Sequence, residues 1–160
     1  MDAQIKPFEE SHLEAVVRLS LRAWAPVFTS IEQAMDAEVY RHFFPDWRVT
    51  QQSSVESACQ DPEMHAWVAT IGDDVVGFTA LRTHADDAMG EIYMIAVDPD
   101  HQCRGIAKAL TEHACAWLKQ AGMVVAMVET GGDPGHGPAR GTYESAGFRL
   151  FPVARYFKRL

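Results

Sequence analysis

Residues 90 to 129 limit the possible folds more than any other part of this chain. "GEIYMIAV", residues 90 to 97, reads as a strand, and after a short loop Ile106, Ala107, Leu110, Ala114, Trp117, Leu118 and Ala121 recur at steps of three and four. That helical run closes at Gly122, a natural C-terminal cap. "MVVAMVE", residues 123 to 129, follows as an almost wholly apolar strand of the kind buried on both faces. Strand, helix and strand with joins this short form a crossover unit, which requires the two strands to run parallel.

The rest of the chain supplies antiparallel partners and covering helices. "HAWVATI", the turn "GDD" and "VVGFTAL" read as a hairpin, and the turn "HADDAM" leads from it into the crossover strand. Ahead of the hairpin, Ser11 and Glu14 have capping-box spacing before Leu13, Val16, Val17, Leu21 and Trp24, a helix that Pro26 is expected to stop. Ser30 and Gln33 repeat the signature for a second helix ending at Pro45, and a short third helix is expected over Ser53 to Cys59. "PARGTYESAG" forms a short helix closed by Gly147, and Phe148 to Leu160 read as two further strand-like pieces. The expected fold class is α/β (α+β): a mixed, mostly antiparallel sheet with a central parallel βαβ crossover, flanked by helices. The 160 residues, 48% of them hydrophobic, suit a single domain that needs no metal or disulfide staple.

Charge and cysteine usage narrow the function classes. Fourteen Lys and Arg stand against 22 Asp and Glu for a net charge of −8, with no long basic run, so nucleic acid is not an expected partner. Cys59, Cys103 and Cys115 are odd in number and lack CxxC spacing, which suits a reducing, cytoplasmic compartment. No apolar run reaches the length of a membrane span, and the seven scattered histidines include no HExxH, so neither membrane nor metal is expected.

The segment "VDPDHQCRGIAKAL", residues 97 to 110, then poses a chemical question. A helix starting near Gly105 has unpaired backbone N–H groups, yet Gln102 and Cys103 flank it in place of Ser, Thr, Asp or Asn. Such a start holds anions, phosphates above all, and Gly105 and Ala107 let a ligand come close to the backbone. Neither a P-loop nor a GxGxxG fingerprint is present.

What is present, Gln102-x-x-Gly105-x-Ala107 after "IAVDP", resembles the acetyl-CoA-binding motif of the GNAT superfamily of N-acetyltransferases. "HGPARGTYESAGFRL" resembles that family's closing pattern, with Ala139, Tyr143, Gly147 and Phe148 in register and His136 where Asn is usual. Among its members, the ribosomal-protein alanine acetyltransferases give the nearest motif match. The resemblance implies that main-chain groups of Ile95, Ala96 and Val97 bind pantetheine in a gap between splayed strands. It implies that Gln102, Cys103, Arg104, Gly105, Ile106, Ala107 and Lys108 hold the pyrophosphate, with His136 and Tyr143 as further cofactor contacts. Tyr143 would be the general acid to the CoA sulfur, and the Val97 N–H would polarise the thioester carbonyl. Glu129 is the first candidate for the base and Glu91 the competing one. Trp24, Phe28, Tyr93 and Asp133 are candidates for the acceptor wall.

The expected activity is therefore direct acetyl transfer from acetyl-CoA to a primary amine of a small molecule or a peptide N-terminus, in a ternary complex without a metal. The rival from another class is a CoA-binding regulatory or interaction module that no longer catalyses. Dimers are common in the family, which leaves a homodimer open.

Overall fold

The computed structural model describes residues 2–160. In chain order it contains β1 (Gln4–Pro7), α1 (Leu13–Ala34), α2 (Ala37–Phe43), α3 (Trp47–Gln60), β2 (His65–Ile71), β3 (Asp74–His84), β4 (Met89–Val97), α4 (Ile106–Gln120), β5 (Val125–Val128) and α5 (Gly137–Ser145). The five strands form one sheet in the order β1-β2-β3-β4-β5. Every neighbouring pair is antiparallel except β4 and β5, which run parallel from Met89↔Val125 to Ile92↔Val128. The architecture is thus mixed and mostly antiparallel, and its one parallel pair lies at an edge of the sheet.

Helices cover both faces. On one, α4 sets Ile106, Leu110, Ala114 and Leu118 against Ala69, Val76, Leu81, Ile92 and Val97. The approach is close enough that a Cβ at Gly90 would lie 2.3 Å from Leu118 Cδ2, so the backbone of β4 itself forms the floor under α4. On the opposite face, Val16 and Leu19 of α1 and Val55 and Ala58 of α3 pack on Val68, Phe78, Ala80 and Ala96.

Several local expectations are corrected. Pro26 does not end the first helix, which continues to Ala34. Proline there withholds only the N–H that would meet the Arg22 carbonyl, and it lies on the exposed side while Val16, Leu19 and Phe28 hold α1 on the sheet. Ser30 consequently sits inside α1. The next two helices start instead at aspartates: Asp36 accepts from the Glu38 and Val39 N–H groups (3.0 and 3.2 Å) and Asp46 from that of Val49 (3.4 Å). The helix expected over Ser53 to Cys59 is the last part of the longer α3.

The capping box lies over Glu9 and His12, two residues before the expected one, and a first strand, β1, precedes it. Residues 148 to 160 form no strand, and β5 is consequently half-exposed along its length instead of buried on both faces. Gly122 and Gly147 do adopt left-handed φ of +90° and +92° at the ends of α4 and α5, as their positions suggested. His113 is half-buried: its ring meets Trp67 edge-on at 5.1 Å, and burial lowers its pKa.

Candidate active site

The crossover opens where β4 leaves β5. Their ladder stops at Ile92↔Val128, while β4 stays paired with β3 as far as Val97. Tyr93 is the reason for the change of course. Ala80 faces Met94 and Leu81 faces Ile92, so Tyr93 is an extra residue in β4, a bulge that bends and twists the strand. The buried Thr79 hydroxyl donates to the Met94 carbonyl at 3.0 Å and fixes the bulged backbone from the β3 side. Ile95, Ala96 and Val97 therefore keep one strand neighbour, β3, and turn an open edge toward the diverging β5.

That strand runs directly into the loop before α4. Arg22 of α1 reaches across to Asp98 (2.6 Å) and Asp100 (2.9 Å), and the Asp98 carboxylate also accepts from the Asp100 N–H at 2.9 Å. Burial alone would raise the Asp98 pKa. Hydrogen bonds from the Asp100 N–H and His101, together with the Arg22 charge, outweigh it and leave that carboxyl below its usual range. Gln102 Nε2 donates to the Val97 carbonyl at 3.1 Å, folding the loop back on the end of β4.

Two left-handed residues follow, Cys103 (φ +60°) and Gly105 (φ +79°), the kind of turn that directs successive N–H groups into one concavity. No side chain caps α4, and the Gly105 carbonyl accepts from the Ala109 N–H at 2.9 Å. A Cβ at Gly105 would meet nothing within 4 Å, so the space before the helix start is open. An uncapped N-terminus on a 15-residue helix, facing open space beside an unpaired strand edge, fits a long ligand with an anionic middle and an amide-bearing arm. Acetyl-CoA has those parts.

Tyr143 lies on α5, which contacts α4. It is buried with its ring edge-on to Phe148 (6.1 Å), and burial pushes its phenol up to about 12. The two candidate bases differ sharply in setting. Glu91 is mostly buried, its side chain 19% exposed, and it is held by His84 Nε2 at 2.7 Å. Glu129 comes just after β5 with its side chain 69% exposed and paired to Arg155 at 3.1 Å. It follows the last paired residue of β5, at the mouth of the diverging strands.

The acceptor-side candidates also separate. Phe28 is buried in an aromatic stack on Trp47 (4.6 Å between centroids), and Trp24 packs against the core beneath α1. Tyr93 is exposed under the Arg82 guanidinium (4.8 Å), and both border a cavity of about 180 Å³ beside Ser53, Ser57 and Asp61 of the α3 side. Asp133 is committed internally: Oδ2 accepts from Ser30 Oγ (2.5 Å), Oδ1 meets His136 Nδ1 (2.5 Å), and Ser30 Oγ accepts the Gly135 N–H (2.8 Å). The Gly-rich loop is thereby pinned to α1, and one ring nitrogen of His136 is held by Asp133. Sequence reasoning missed Arg22, Ser30, Thr79 and His84. Each acts through a partner supplied by the fold, Ser30 and Asp133 being 103 residues apart, and no local pattern marks them.

Comparison with known proteins gives the family in which this arrangement occurs. A profile of the Acetyltransferase (GNAT) family matches residues 28–148. The chain belongs to that family, and its described residues have the strand divergence and uncapped helix that the motifs implied. It is 34% identical over 96 residues to the uncharacterized N-acetyltransferase YsnE of Bacillus subtilis, a match covering 59% of this chain and 63% of that protein. Its fold is similar to that of the Escherichia coli ribosomal-protein-S18-alanine N-acetyltransferase (TM-score 0.69, 23% identity, 94% of this chain and 79% of that one). It is likewise similar to that of the PaiA N-acetyltransferase of Thermoplasma acidophilum in complex with coenzyme A (TM-score 0.71, 14% identity, 96% and 94%).

Proposed function

We propose that the protein transfers acetyl from acetyl-CoA directly to a primary amine, carried by a small molecule or a peptide N-terminus. The observation that carries this reading is the continuity of two unsatisfied backbone surfaces: the open edge of β4 at Ile95 to Val97 leads into the uncapped start of α4. Acetyl-CoA supplies the activated acyl group as a thioester. Ile95 and Val97, whose N–H groups face away from β3, orient the pantetheine arm by strand-like hydrogen bonds with Ala96 tied to β3 between them, and the N–H groups from Cys103 to Lys108 take the pyrophosphate charge. Gln102 and the Arg22 clamp keep that loop in place.

An amine arrives protonated at neutral pH and must lose a proton before it attacks. Glu91 is the better-placed base, since it is shielded from bulk water and fixed by His84 on the strand that carries the open edge. The exposed Glu129 suits a second role, drawing a cationic acceptor to the mouth. The Val97 N–H polarises the carbonyl, and the Tyr143 hydroxyl donates to the sulfur as it departs.

Titration of the protein with acetyl-CoA in a calorimeter, followed by thiol release in the presence of an amine library, tests this. Binding with acceptor-dependent thiol release is expected. Absence of binding overturns the cofactor assignment, and binding without thiol release for any amine assigns the chain to the non-catalytic class. Glu91→Gln is expected to lower turnover more than Glu129→Gln, whose main effect falls on the KM for cationic amines.

A further inference from the structure

The cavity beside the bulge is polar, and its hydrogen-bonding groups are unspent. Ser53, Ser54 and Ser57 of α3, Asp61 just after that helix, Arg82 of β3 and Tyr93 of β4 line its volume of about 180 Å³. Spacings of three and four residues put the serines along one side of α3. Among the described residues none of the three hydroxyls has a hydrogen-bond partner, although Thr50 in the same helix finds one in the Asp46 carbonyl at 3.2 Å. Asp61 is partly engaged, its carboxylate accepting from the Glu63 N–H at 2.8 Å.

Arg82 gives this cavity its sign. It faces Glu91 in the β3–β4 ladder, so the two side chains leave the sheet on the same face, where opposite charges ordinarily pair. Here Glu91 turns to His84 (2.7 Å), and the Arg82 guanidinium lies over the Tyr93 ring (4.8 Å) with no carboxylate partner among the described residues. The two charges thus stand apart on one face, the anion toward His84 and the cation toward α3. An aromatic face supports the flat side of a guanidinium and leaves its N–H edge for a planar acceptor. The cavity also lies at the head of the gap: β4 and β5 part after Ile92, and the edge assigned to the acyl donor begins at Ile95, about 7 Å beyond Tyr93 along the strand.

We infer that the acceptor is a free amino acid, a molecule whose amine and carboxylate lie a few bonds apart: Arg82 seats the carboxylate against the α3 serines, and Glu91 receives the ammonium. This rests on the acetyl-transfer reading above and narrows its acceptor. Charge fixes the orientation, since Glu91 repels the carboxylate and attracts the ammonium while Arg82 does the reverse. Charge also fixes the class of anion. One guanidinium with Asp61 nearby matches a monoanion, whereas a phosphate group with close to two charges would leave one unmatched. The volume of about 180 Å³ is well below the roughly 300 Å³ at which pockets for larger ligands begin, so it suits a carboxylate and a few carbons. In the transfer the amine nitrogen bonds to the acetyl carbon as the carbon–sulfur bond breaks. Of the two protons the ammonium gives up, one reaches solvent through Glu91 and the other ends on the CoA sulfur.

Thiol release from acetyl-CoA, measured with free amino acids, their amides, and polyamines that have no carboxylate, reads the preference. Removing the carboxylate charge lowers the pKa of the neighbouring amine, so intrinsic reactivity favours the amides and only recognition reverses the order. The free acids are expected to exceed their amides in kcat/KM by at least about tenfold, the scale of one charged hydrogen bond. Arg82→Gln is expected to abolish that preference, chiefly through KM, and Arg82→Lys to restore part of it, with circular dichroism showing each variant folded. Calorimetric binding of N-acetyl amino acids to the CoA-loaded protein reads the same seat without catalysis, and it should weaken to the same extent in Arg82→Gln. Equal or better turnover of amides and polyamines, or a preference that survives Arg82→Gln, overturns the proposal and leaves acetyl transfer standing. Binding of the N-acetyl amino acids without thiol release from any amine upholds the carboxylate seat and overturns the transfer reading alone, whereas absence of both overturns both.

Discussion

Replacing Tyr143 with Phe separates chemistry from binding and from stability. The ring is buried against Phe148, and its shape is unchanged by the substitution. Among the described residues the hydroxyl has no hydrogen-bond partner to lose, so the folding free energy should shift by less than about 0.5 kcal/mol. The effect on turnover follows from the raised pKa. Burial pushes the phenol up to about 12, whereas a thiol lies at about 8.5. Complete proton transfer to a free thiolate is thus uphill by roughly 3.5 units, or roughly 5 kcal/mol. In the proposed reaction Tyr143 would therefore act mainly by donating a hydrogen bond to the sulfur as charge develops there. Its contribution falls near the lower end of the range for general acids, about 100-fold, or roughly 2.7 kcal/mol. We expect Tyr143→Phe to lower kcat by about that factor while the Kd for CoA, measured by calorimetry, changes by less than about threefold. The wild-type rate should also show no fall from Tyr143 ionisation up to about pH 10, because the acid stays protonated. An unchanged single-turnover rate, with acyl transfer shown to limit it, refutes the assignment.

Gly90→Ala is expected to cost about 2 kcal/mol in denaturant unfolding, because the new methyl would overlap Leu118, and pairing it with Leu118→Ala should cost less than the two changes added. Arg22→Ala should weaken CoA binding several-fold in calorimetry with little change in Tm, since the exposed guanidinium acts by holding Asp98 and Asp100 in the loop before α4. His113 has a lowered pKa because burial disfavours its charged form, so the unfolded chain binds the proton more readily. Stability should therefore be intact above the unfolded value of about 6.5 and decline as pH falls through that value toward the folded one. Replacing His113 with Leu should flatten the denaturant midpoint over that interval, and an unchanged slope refutes the attribution.

The sequence revealed most where local physics and tertiary demand coincide. The periodicity of α4, its Gly122 stop and its missing cap were all legible, because a long amphipathic helix with an unfilled N-terminus has few other solutions. Pro26 misled because tertiary burial of α1 on both sides of it outweighs the loss of one exposed helical hydrogen bond. The apolar "MVVAMVE" misled about depth, since a strand at the edge of a sheet has the same composition as one inside it. Phe28 was offered as an acceptor contact on family grounds, yet only the packing of α1 against Trp47 and Phe44 shows it to be interior. The links that lock the site together, Arg22 to Asp98 and Ser30 to Asp133, join residues too far apart in the chain to announce themselves.

The bulge at Tyr93 ties the fold to the proposed chemistry most directly. A straight strand alternates faces, so Gly90 and Ile92 toward α4 would place Met94 and Ala96 there too. Instead Ile95 and Val97 pack with α4, while Met94 and Ala96 join the core under α1 and α3. One inserted residue has reversed the parity of everything after it. Both faces remain apolar across the reversal because "YMIAV" is hydrophobic at every position, and for the same reason periodicity conceals it. Beyond that residue β4 keeps its antiparallel ladder to β3 and gives up its parallel ladder to β5. The sheet thus keeps its core under α4 and at the same place exposes the backbone edge that the acyl donor requires, and the unbroken apolar run in the sequence permits both.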